Sequence, residues 1–527
     1  TSFAATSRHM VVTKPAAGDS LQRLAASAEF RAERHVRSFA NIDAYGVDLT
    51  EAEAAELRRS PEVLSVQPVV PRYIQSVGNM PLQPLVSRFQ QQSAPWGITA
   101  VNVSEVWNVT RGEDVNVAVI DTGIDLTHPD LLPAYAGGHN IVDPAQPPID
   151  DHGHGTHVSG TIAAADNKFG VIGVAPKVKL WAVKVLNREG SGTDEQLAAG
   201  IDWVVTKKRE LGGRWVINMS LGSDFSSPAE KAAVSRAAAE NIILVAASGN
   251  SAFYTLLYPA AYPEVISVGA VDELRNVAEF SNYGHGLTIV APGVEVASTY
   301  LVGRVKWANV DLSGESLTAY GLGGSPLTSL SGRVVDCGYG RPEDFPPDVA
   351  GKVALVKRGP IGAALLFREK ARNAKEAGAI AVIIYNDDNV REWTNWTLQT
   401  NPPEEYDYPL TVSVSLQTGE RLKQNSGRTV TVTYDTDDYG RLSGTSMATP
   451  HVAGIVALLL ALDPEANMAD LRLAMQQTAF DVNTPGWDFR SSWGMVDALA
   501  AAKRLAPSAF GLPDTTPPSS RRRSVRP

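Results

Sequence analysis

Five short apolar stretches, separated by helical patterns, constrain the fold of this chain more than any other feature of its sequence. They occupy residues 115–120, 180–185, 215–219, 242–246 and 265–268. Apolar residues dominate each stretch and occur on both of its faces, so each stretch would be buried on both faces rather than on one. Strands of this kind, separated by helices, predict an α/β fold in which a parallel sheet is covered by helices on both faces.

The bulk properties of the chain bound its domain number and exclude some functions. A length of 527 residues predicts roughly two to four domains. The net charge of −10 argues against a dedicated nucleic-acid-binding protein. We find no run of eighteen apolar residues, so we expect no membrane span. Cys337 is the single cysteine, which excludes an internal disulfide.

Residues 1–75 predict a small α/β unit at the front of the chain. Its expected elements are a strand at 10–13, a helix at 20–30, two strands within 36–47, a helix at 50–59 and a strand at 63–73. Thr50 and Glu53 form a capping-box pattern at the start of the second helix. This order of elements is that of a ferredoxin-like fold. Residues 76–91 show no periodicity and contain two prolines, which predicts a linker.

A β-rich α/β domain is predicted to interrupt the parallel-sheet pattern at residues 301–437. Its expected elements are strands at 353–356 and 381–385, a helix at 363–377 and a β-rich stretch at 410–434. The interrupted domain then consists of residues 92–300 and 438–510, with closing helices at 467–479 and 496–505. Residues 511–527, rich in Pro, Ser and Arg, are predicted to be a disordered tail.

The stretch 443–454 (Ser-Gly-Thr-Ser-Met-Ala-Thr-Pro-His-Val-Ala-Gly) places a serine at the start of an apolar helix. After Pro450 the residues are apolar on every side, which predicts a helix buried in a core. Backbone N–H groups left unpaired at the helix start would favour negative charge developing near Ser446. Taken alone, the pattern favours an N-cap over a nucleophile, so the interpretation depends on whether a base and an acid exist elsewhere.

Two other stretches carry a candidate acid and a candidate base. Asp121 directly follows a predicted strand, at the end of a parallel sheet where catalytic groups gather. A Gly-rich turn then leads into a helix that places His154 and His157 one turn apart. Together with His152 they could ligate zinc, but the helical His-Glu-x-x-His pattern is absent. We favour one base and two structural histidines.

Three blocks resemble the signature blocks of the subtilisin-like serine peptidases. They are Val-Ile-Asp-Thr-Gly-Ile-Asp around Asp121, His-Gly-Thr-His-Val-Ser-Gly-Thr from His154, and Gly-Thr-Ser-Met-Ala-Thr-Pro-His-Val-Ala-Gly around Ser446. Their order along the chain is the order of this family, and the resemblance covers residues 92–300 and 438 to about 504. It implies that Asp121 orients His154, that His154 is the general base and then the acid, and that Ser446 is the nucleophile.

The resemblance also implies an oxyanion donor and a substrate cleft. Val-Ala-Ala-Ser-Gly-Asn resembles the block in which the amide of Asn, here Asn250, stabilises the oxyanion. Leu257 falls at the floor of the pocket for the residue before the scissile bond and would make that pocket shallow. No acidic cluster accompanies these blocks, which argues against strict cleavage after paired basic residues. The expected pocket walls, which would pair with the substrate backbone, are Ser220, Leu221, Gly222, Ala247, Ser248 and Gly249.

A structural Ca²⁺ site is a further implication of the resemblance, whereas catalysis is expected to need no cofactor. The alternative is that the Asp-Asn pair at 166–167 only forms a turn. The implied ligands are all oxygens, which suits Ca²⁺. They are the side chains of Gln92, Asp130 and Asn167 and the carbonyls of Ala165, Phe169 and Val171.

The two additional domains also resemble known ones. The front unit resembles the inhibitory propeptide of the family, and its last strand would lead residues 76–90 into the cleft. We therefore expect self-cleavage between about Phe89 and Gln92. The insert resembles, more weakly, the protease-associated (PA) domain, which would gate or bind substrate or would only add stability.

We therefore expect a secreted, monomeric endopeptidase that is made as a self-processing zymogen, inhibited by its own propeptide and active on polypeptides. The alternative from another class is a protein that binds peptides in the cleft without cutting them. The presence of all four catalytic residue types argues against that alternative. Whether the enzyme is a narrow processing peptidase or a broad digestive one is left open, and cleavage of a mixed peptide library would distinguish the two.

Overall fold

The computed structural model describes residues 6–14, 35–75, 83–84, 92–359, 365–387, 396–399 and 406–513. The chain forms two compact units, one from residues 1–78, 87–301 and 439–527 and the other from residues 79–86 and 302–438. The helix predicted at 20–30 and nearly all of the predicted tail lie outside the described residues.

The front of the chain folds as a four-stranded antiparallel sheet with one described helix. Its elements are β1 (Ser7–Thr13), β2 (Arg37–Ser38), β3 (Ala44–Leu49), α1 (Glu51–Leu57) and β4 (Val63–Pro68). The strand order is β2-β3-β1-β4. Thr50 Oγ1 accepts from the Glu53 N–H, and the Glu53 carboxylate accepts from the Thr50 N–H, so the predicted capping box is present.

The strand predicted at 63–73 is two strands, which corrects the sequence interpretation. β4 ends at Pro68, and β5 (Pro71–Ile74) leaves the front sheet to pair elsewhere. Both prolines lack an N–H, so a continuous central strand through them would lose ladder hydrogen bonds. The Val70 N–H donates instead to Asp194 Oδ1 (2.8 Å).

A seven-stranded parallel sheet forms the centre of the first unit, with strand order β15-β14-β13-β11-β7-β9-β8. All five predicted apolar stretches fall on its strands, which confirms the predicted α/β fold. The elements up to residue 300 are β6 (Gln83–Pro84), α2 (Trp96–Ala100), the 3₁₀ helix Val106–Asn108, β7 (Val115–Asp121), β8 (Tyr135–Asn140), α3 (His154–Ala163), β9 (Lys179–Lys184), β10 (Ser191–Thr193), α4 (Asp194–Leu211), β11 (Arg214–Met219), β12 (Leu221–Gly222), α5 (Pro228–Ala239), β13 (Ile242–Ala247), β14 (Val265–Val271), β15 (Ile289–Pro292) and β16 (Val296–Thr299).

The second unit is a closed barrel with strand order β17-β18-β22-β21-β20-β19-β23. The stretch 410–434, expected to be β-rich throughout, contains a helix that begins where the Thr418 N–H donates to Ser415 Oγ (3.1 Å). The elements are β17 (Val305–Leu312), β18 (Glu315–Gly321), β19 (Thr328–Asp336), the 3₁₀ helix Pro342–Asp344, β20 (Val353–Lys357), α6 (Phe367–Glu376), β21 (Ala381–Tyr385), β22 (Leu410–Val414), α7 (Leu416–Gln424) and β23 (Thr429–Asp437).

The last segment supplies the helix that passes through the core of the first unit. Its elements are β24 (Tyr439–Leu442), α8 (Thr445–Leu462), α9 (Met468–Gln477), α10 (Ala498–Leu505) and the 3₁₀ helix Pro507–Phe510. By length and composition alone, α8, with 18 residues and a mean hydropathy of 1.7, is apolar enough to cross a membrane. Because 89% of α8 is buried inside the protein, it is the core helix that the sequence predicted.

Candidate active site

The carboxyl end of β7 brings the predicted acid to the predicted base. Asp121 is the last residue of β7, and His154 is the first residue of α3. His154 Nδ1 lies 2.8 Å from Asp121 Oδ1, and the two side chains are 1% and 0% exposed. The Thr122 N–H also donates to Asp121 Oδ1, at 2.7 Å, which holds the carboxylate in place. A buried carboxylate on Nδ1 can fix the imidazole tautomer and stabilise the imidazolium.

A positive φ angle at Gly153 allows the turn that delivers His154. Gly153 precedes α3 with φ of 103°, a conformation that costs an L side chain free energy. A Cβ atom there would lie 2.2 Å from the ring of Tyr300, so the packing also excludes a side chain. The Gly-rich turn seen in the sequence is therefore required for the position of the base.

Ser446 lies in the first turn of α8, where its backbone N–H donates to the carbonyl of Gln75 at 3.1 Å. Its Oγ donates to the Ser220 carbonyl (2.8 Å) and accepts from the Gln75 N–H (3.0 Å). Within the described part of the chain, the buried His154 Nε2 has no hydrogen-bond partner. With Gln75 seated on Ser446, the serine hydroxyl is therefore turned toward Ser220 rather than bonded to His154.

Asn250 presents the N–H₂ group of its side-chain amide beside Ser446. Its Oδ1 accepts from both the backbone N–H and the Oγ1 of Thr445, each at 2.9 Å. Among the described residues, the buried Nδ2 has no partner, so it is a free donor next to Ser446. Thr445, which the sequence analysis did not single out, therefore fixes the orientation of this amide. Its only sequence signal is its place directly before Ser446.

An extended segment of the chain itself lies in the predicted cleft. β5 pairs antiparallel with both β10 and β12 in a three-stranded sheet. The Gln75 N–H also donates to the Ser220 carbonyl (3.2 Å). The two residues before Gln75 continue this pairing, Ile74 with Leu221 and Tyr73 with Gly222. The predicted wall 220–222 thus binds a strand in the way expected for a substrate.

The residue seated on Ser446 lies before the expected cleavage region. Self-cleavage was expected between about Phe89 and Gln92, but the carbonyl that reaches Ser446 belongs to Gln75. Phe89 lies outside the described residues. The position of Gln75 carries no local sequence signal, because the register depends on how β5 pairs with strands more than a hundred residues away.

Leu257 lies between the two predicted pocket walls. It is 7% exposed, and its N–H donates to the Ser248 carbonyl (3.0 Å). A Cβ atom on Gly222 would lie 3.0 Å from Leu257 Cβ, and one on Gly249 would lie 2.8 Å from Leu257 Cγ. Ala247 ends β13 and leads into the second wall. The leucine therefore contacts both walls, at the place predicted for the pocket floor.

The other histidines of the signature blocks bind backbone carbonyls. His157 Nε2 lies 2.9 Å from the Val296 carbonyl, and His451 Nδ1 lies 2.8 Å from the Met447 carbonyl. Burial lowers the pKa of His157 to about 3, with the charge of His154 adding to the effect. Burial also lowers the pKa of His451 to about 4. Both imidazoles are therefore neutral at pH 7.

The predicted calcium ligands lie together in one cluster of oxygen-bearing groups. The Asn167 amide donates to Asp130 Oδ1 (2.6 Å), and the Gln92 amide contacts the carbonyls of Ala165 (2.6 Å) and Val171 (3.2 Å). Burial raises the pKa of Asp130, although hydrogen bonds from Asn167 and its neighbours oppose that rise. Phe169, the sixth predicted residue, also contacts this cluster, because its N–H donates to Asn167 Oδ1 (3.3 Å).

Comparisons with known proteins identify the families of the three domains. The subtilase family matches residues 112–321, the peptidase inhibitor I9 family matches residues 4–75 and the PA domain matches residues 330–422. Subtilisin Savinase from Lederbergia lenta is 43% identical over 269 residues, which cover 51% of this chain and 85% of that protein. The chain belongs to the subtilase family.

Another relative and a solved structure support the same family assignment. An alkaline protease from Alkalihalobacillus alcalophilus is 40% identical over 294 residues, 54% of this chain and 67% of that protein. The crystal structure of a psychrophilic subtilisin-like protease from Pseudoalteromonas sp. AS-11 matches with a TM-score of 0.54 and 31% identity, over 79% of this chain and 99% of that one. The subtilase is thus a serine endopeptidase with an intramolecular inhibitor domain and a PA domain, which confirms the predicted family, fold class and enzyme class.

Proposed function

We propose that this subtilase is a secreted endopeptidase, made as a self-processing zymogen, that cuts polypeptides through an acyl-enzyme. Asp121, His154 and Ser446 form its triad, and Asn250 supplies a side-chain donor to the oxyanion. The observation that carries the proposal is the Gln75 carbonyl held at 3.1 Å by the Ser446 N–H. An inhibitory front unit suits an enzyme that must stay inactive until it leaves the cell.

In the proposed reaction, Ser446 Oγ turns from Ser220 to the free His154 Nε2 and attacks the substrate carbonyl carbon. His154 takes the serine proton, while Asp121 holds Nδ1 and stabilises the imidazolium. The oxyanion accepts hydrogen bonds from the Ser446 N–H and Asn250 Nδ2. His154 then protonates the leaving amine, and water releases the acyl group by the same steps in reverse.

The substrate lies as β5 does, between β10 and β12, with the carbonyl of its reacting residue where that of Gln75 lies. On this register, self-processing breaks the bond between Gln75 and Ser76. The cut front unit then keeps its strand in the cleft and inhibits the enzyme. Leu257, in contact with both pocket walls, makes the pocket for the reacting residue shallow and disfavours Phe and Tyr there.

Ca²⁺ is the structural ion we propose for the oxygen cluster. The chemistry of the donors fits it, since carboxylate, amide and backbone carbonyl oxygens are the ligands that Ca²⁺ prefers. Burial raises the pKa of Asp130, and a cation bound beside it would stabilise its charged form. The ligands would be Gln92, Asp130, Ala165, Asn167, Phe169 and Val171, and the ion would supply rigidity rather than catalysis.

The test is a full-length Ser446→Ala chain, purified without other peptidases. It should keep its front unit, whereas the wild type loses it, because the nucleophile is missing. Ser251→Ala, a change of an exposed serine, is the matched control and should process as the wild type does. Loss of the front unit from Ser446→Ala would contradict the proposal. N-terminal sequencing of the wild-type product locates the cut.

A further inference from the structure

A buried arginine on β5 binds a carboxylate of the peptidase domain. Arg72 Nε donates to Glu230 Oε2 at 2.7 Å, and Arg72 Nη2 lies 2.6 Å from the same oxygen. Both side chains are 0% exposed. Nη1 donates to the carbonyl of Pro71 and Nη2 to the carbonyl of Phe225, each at 3.0 Å. Two of the groups that bind this guanidinium, Glu230 and the Phe225 carbonyl, therefore come from the peptidase domain.

The position of Arg72 along β5 relates this site to the scissile bond. Gln75 is the residue whose carbonyl lies on Ser446, so Arg72 is the fourth residue before the bond. Arg72 pairs with Gly192 of β10, and Tyr73 pairs with Gly222 of β12. Because this pairing uses only backbone atoms, a substrate bound in the same register places its own fourth residue in the same site.

The side chains of β5 differ sharply in how they are bound. Gln75 is half-buried, and its side-chain amide donates to the Tyr73 carbonyl of β5 itself (3.2 Å). Tyr73 is 50% exposed. Arg72 alone is fully enclosed and paired with a charge. The cleft therefore recognises the fourth residue by its chemistry far more than it recognises the third.

Glu230 needs a cationic partner. It lies in the first turn of α5 and is fully buried. Burial raises the pKa of Glu230, Arg72 opposes the rise, and the nearby Asp194 adds to it. A neutral side chain in the site would leave a buried carboxylate unpaired. Arginine fits better than lysine, because its fork of donors reaches the carboxylate and a carbonyl at once.

We propose that Glu230 makes this subtilase selective for arginine at the fourth residue before the scissile bond. The proposal rests on the proposed peptidase function and gives it a substrate class, namely peptides with that arginine. It also favours a selective processing peptidase over a broad digestive one. The front unit inhibits partly because it carries the preferred residue, Arg72.

The test uses the processed wild-type enzyme and four peptides, Pro-X-Tyr-Ile-Gln joined to a coumarin amide, with X as Arg, citrulline, Lys or Leu. Citrulline keeps the shape of arginine without its charge. We expect kcat/KM for Arg to exceed that for citrulline and Leu by about ten- to hundredfold, which is about 1.4–2.8 kcal/mol. Lys should fall between them. Equal rates for Arg and citrulline would overturn the proposal.

The matching enzyme variants are Glu230→Gln and Glu240→Gln. Glu240 lies at the other end of the same helix, partly exposed and paired with Arg209. The ratio of kcat/KM for Arg to that for citrulline should fall below about threefold in Glu230→Gln and stay at the wild-type value in Glu240→Gln. An unchanged ratio in Glu230→Gln would overturn the role of this residue. If that variant does not fold, the four peptides still decide the question with the wild type.

Failure of the proposed peptidase function and failure of the selectivity for arginine give different results. If no peptide is cut and the full-length chain keeps its front unit, both proposals are wrong. If all four peptides are cut at similar rates, the peptidase function stands and the selectivity for arginine is wrong.

Discussion

His154 and His157 lie one turn apart on α3 and are both buried, yet only one of them is suited to catalysis. Each leaves one ring nitrogen without a hydrogen-bond partner among the described residues. The difference is the partner of the other nitrogen, which is the Asp121 carboxylate for His154 and the Val296 carbonyl for His157. A carbonyl fixes a tautomer, whereas a carboxylate also stabilises the protonated ring. The partner, and not burial or sequence spacing, is what suits His154 to the proposed role of general base.

The largest predicted effect comes from removing each histidine in turn. His154→Ala should slow self-processing of the full-length chain by about 10⁶-fold, because the base is lost. His157→Gln should leave a measurable rate. The front unit is followed on gels over time, with thermal melting as a check on folding. A dead His157→Gln chain that melts normally, beside an active His154→Ala chain, would reverse the assignment.

Asp121→Asn makes the partner of His154 neutral, like the carbonyl that binds His157. The processing rate should fall by about 10⁴-fold while the fold is kept, because the amide favours the wrong tautomer and does not stabilise the imidazolium. The rate is measured as for the histidine variants, and Asp166→Asn, at an exposed carboxylate, is the control. A loss below tenfold would show that the carboxylate is not what distinguishes the two histidines.

Asn250→Ala tests whether the Asn250 side chain donates a hydrogen bond to the oxyanion. Removing one oxyanion donor should cost about 3–4 kcal/mol, a fall of two to three decades in kcat with little change in KM. Steady-state kinetics of the processed enzyme on the arginine peptide measure both constants. Thr445→Val, which removes one of the two hydrogen bonds that orient the amide, should give a smaller loss. An unchanged kcat in Asn250→Ala would exclude the role.

Asp130 extends the comparison to a second buried carboxylate, which accepts hydrogen bonds from the neutral side chains of Asn167 and Tyr439 and would gain a charged partner from a bound cation. If Ca²⁺ supplies that partner, chelation should lower stability by about 2.7 kcal/mol for an ion present at a hundred times its Kd. Thermal melting of the Ser446→Ala chain with and without EGTA measures the shift. Asp130→Asn should melt lower and respond less to EGTA. If EGTA does not change the melting temperature of the Ser446→Ala chain, the proposal of a stabilising ion is wrong.

The smallest predicted effect is a loss of folding stability at acidic pH, caused by the two structural histidines. The pKa of His157 is about 3 and that of His451 about 4, against 6.5 for a free imidazole, so the unfolded chain binds more protons as the pH falls below 6.5. Stability should therefore drop by about 1 kcal/mol per histidine between pH 7 and 5.5. Melting of Ser446→Ala chains with and without His451→Gln isolates one contribution. An equal acid response in both would contradict the account.

Much of the fold and of the candidate site follows from local sequence. Apolar strands such as 115–120 and the capping box at Thr50 carry their own signal, because period and spacing act over a few residues. Arg72 and Glu230 carry none, since their pairing joins residues 158 positions apart and depends on where β5 lies. The orientation of Asn250 by Thr445 is hidden for the same reason. Calcium and the catalytic roles stay predictions.

The central claim is that Ser446 is the nucleophile that His154 activates, and labelling with a fluorophosphonate tests it most directly. The processed wild-type enzyme should gain one phosphonyl group, which peptide mass spectrometry should find on Ser446. His154→Ala, freed of its front unit by added wild-type enzyme and repurified, should label far more slowly, while His157→Gln should still label. A label on another residue of the active wild type, or equal labelling of His154→Ala, would contradict the account.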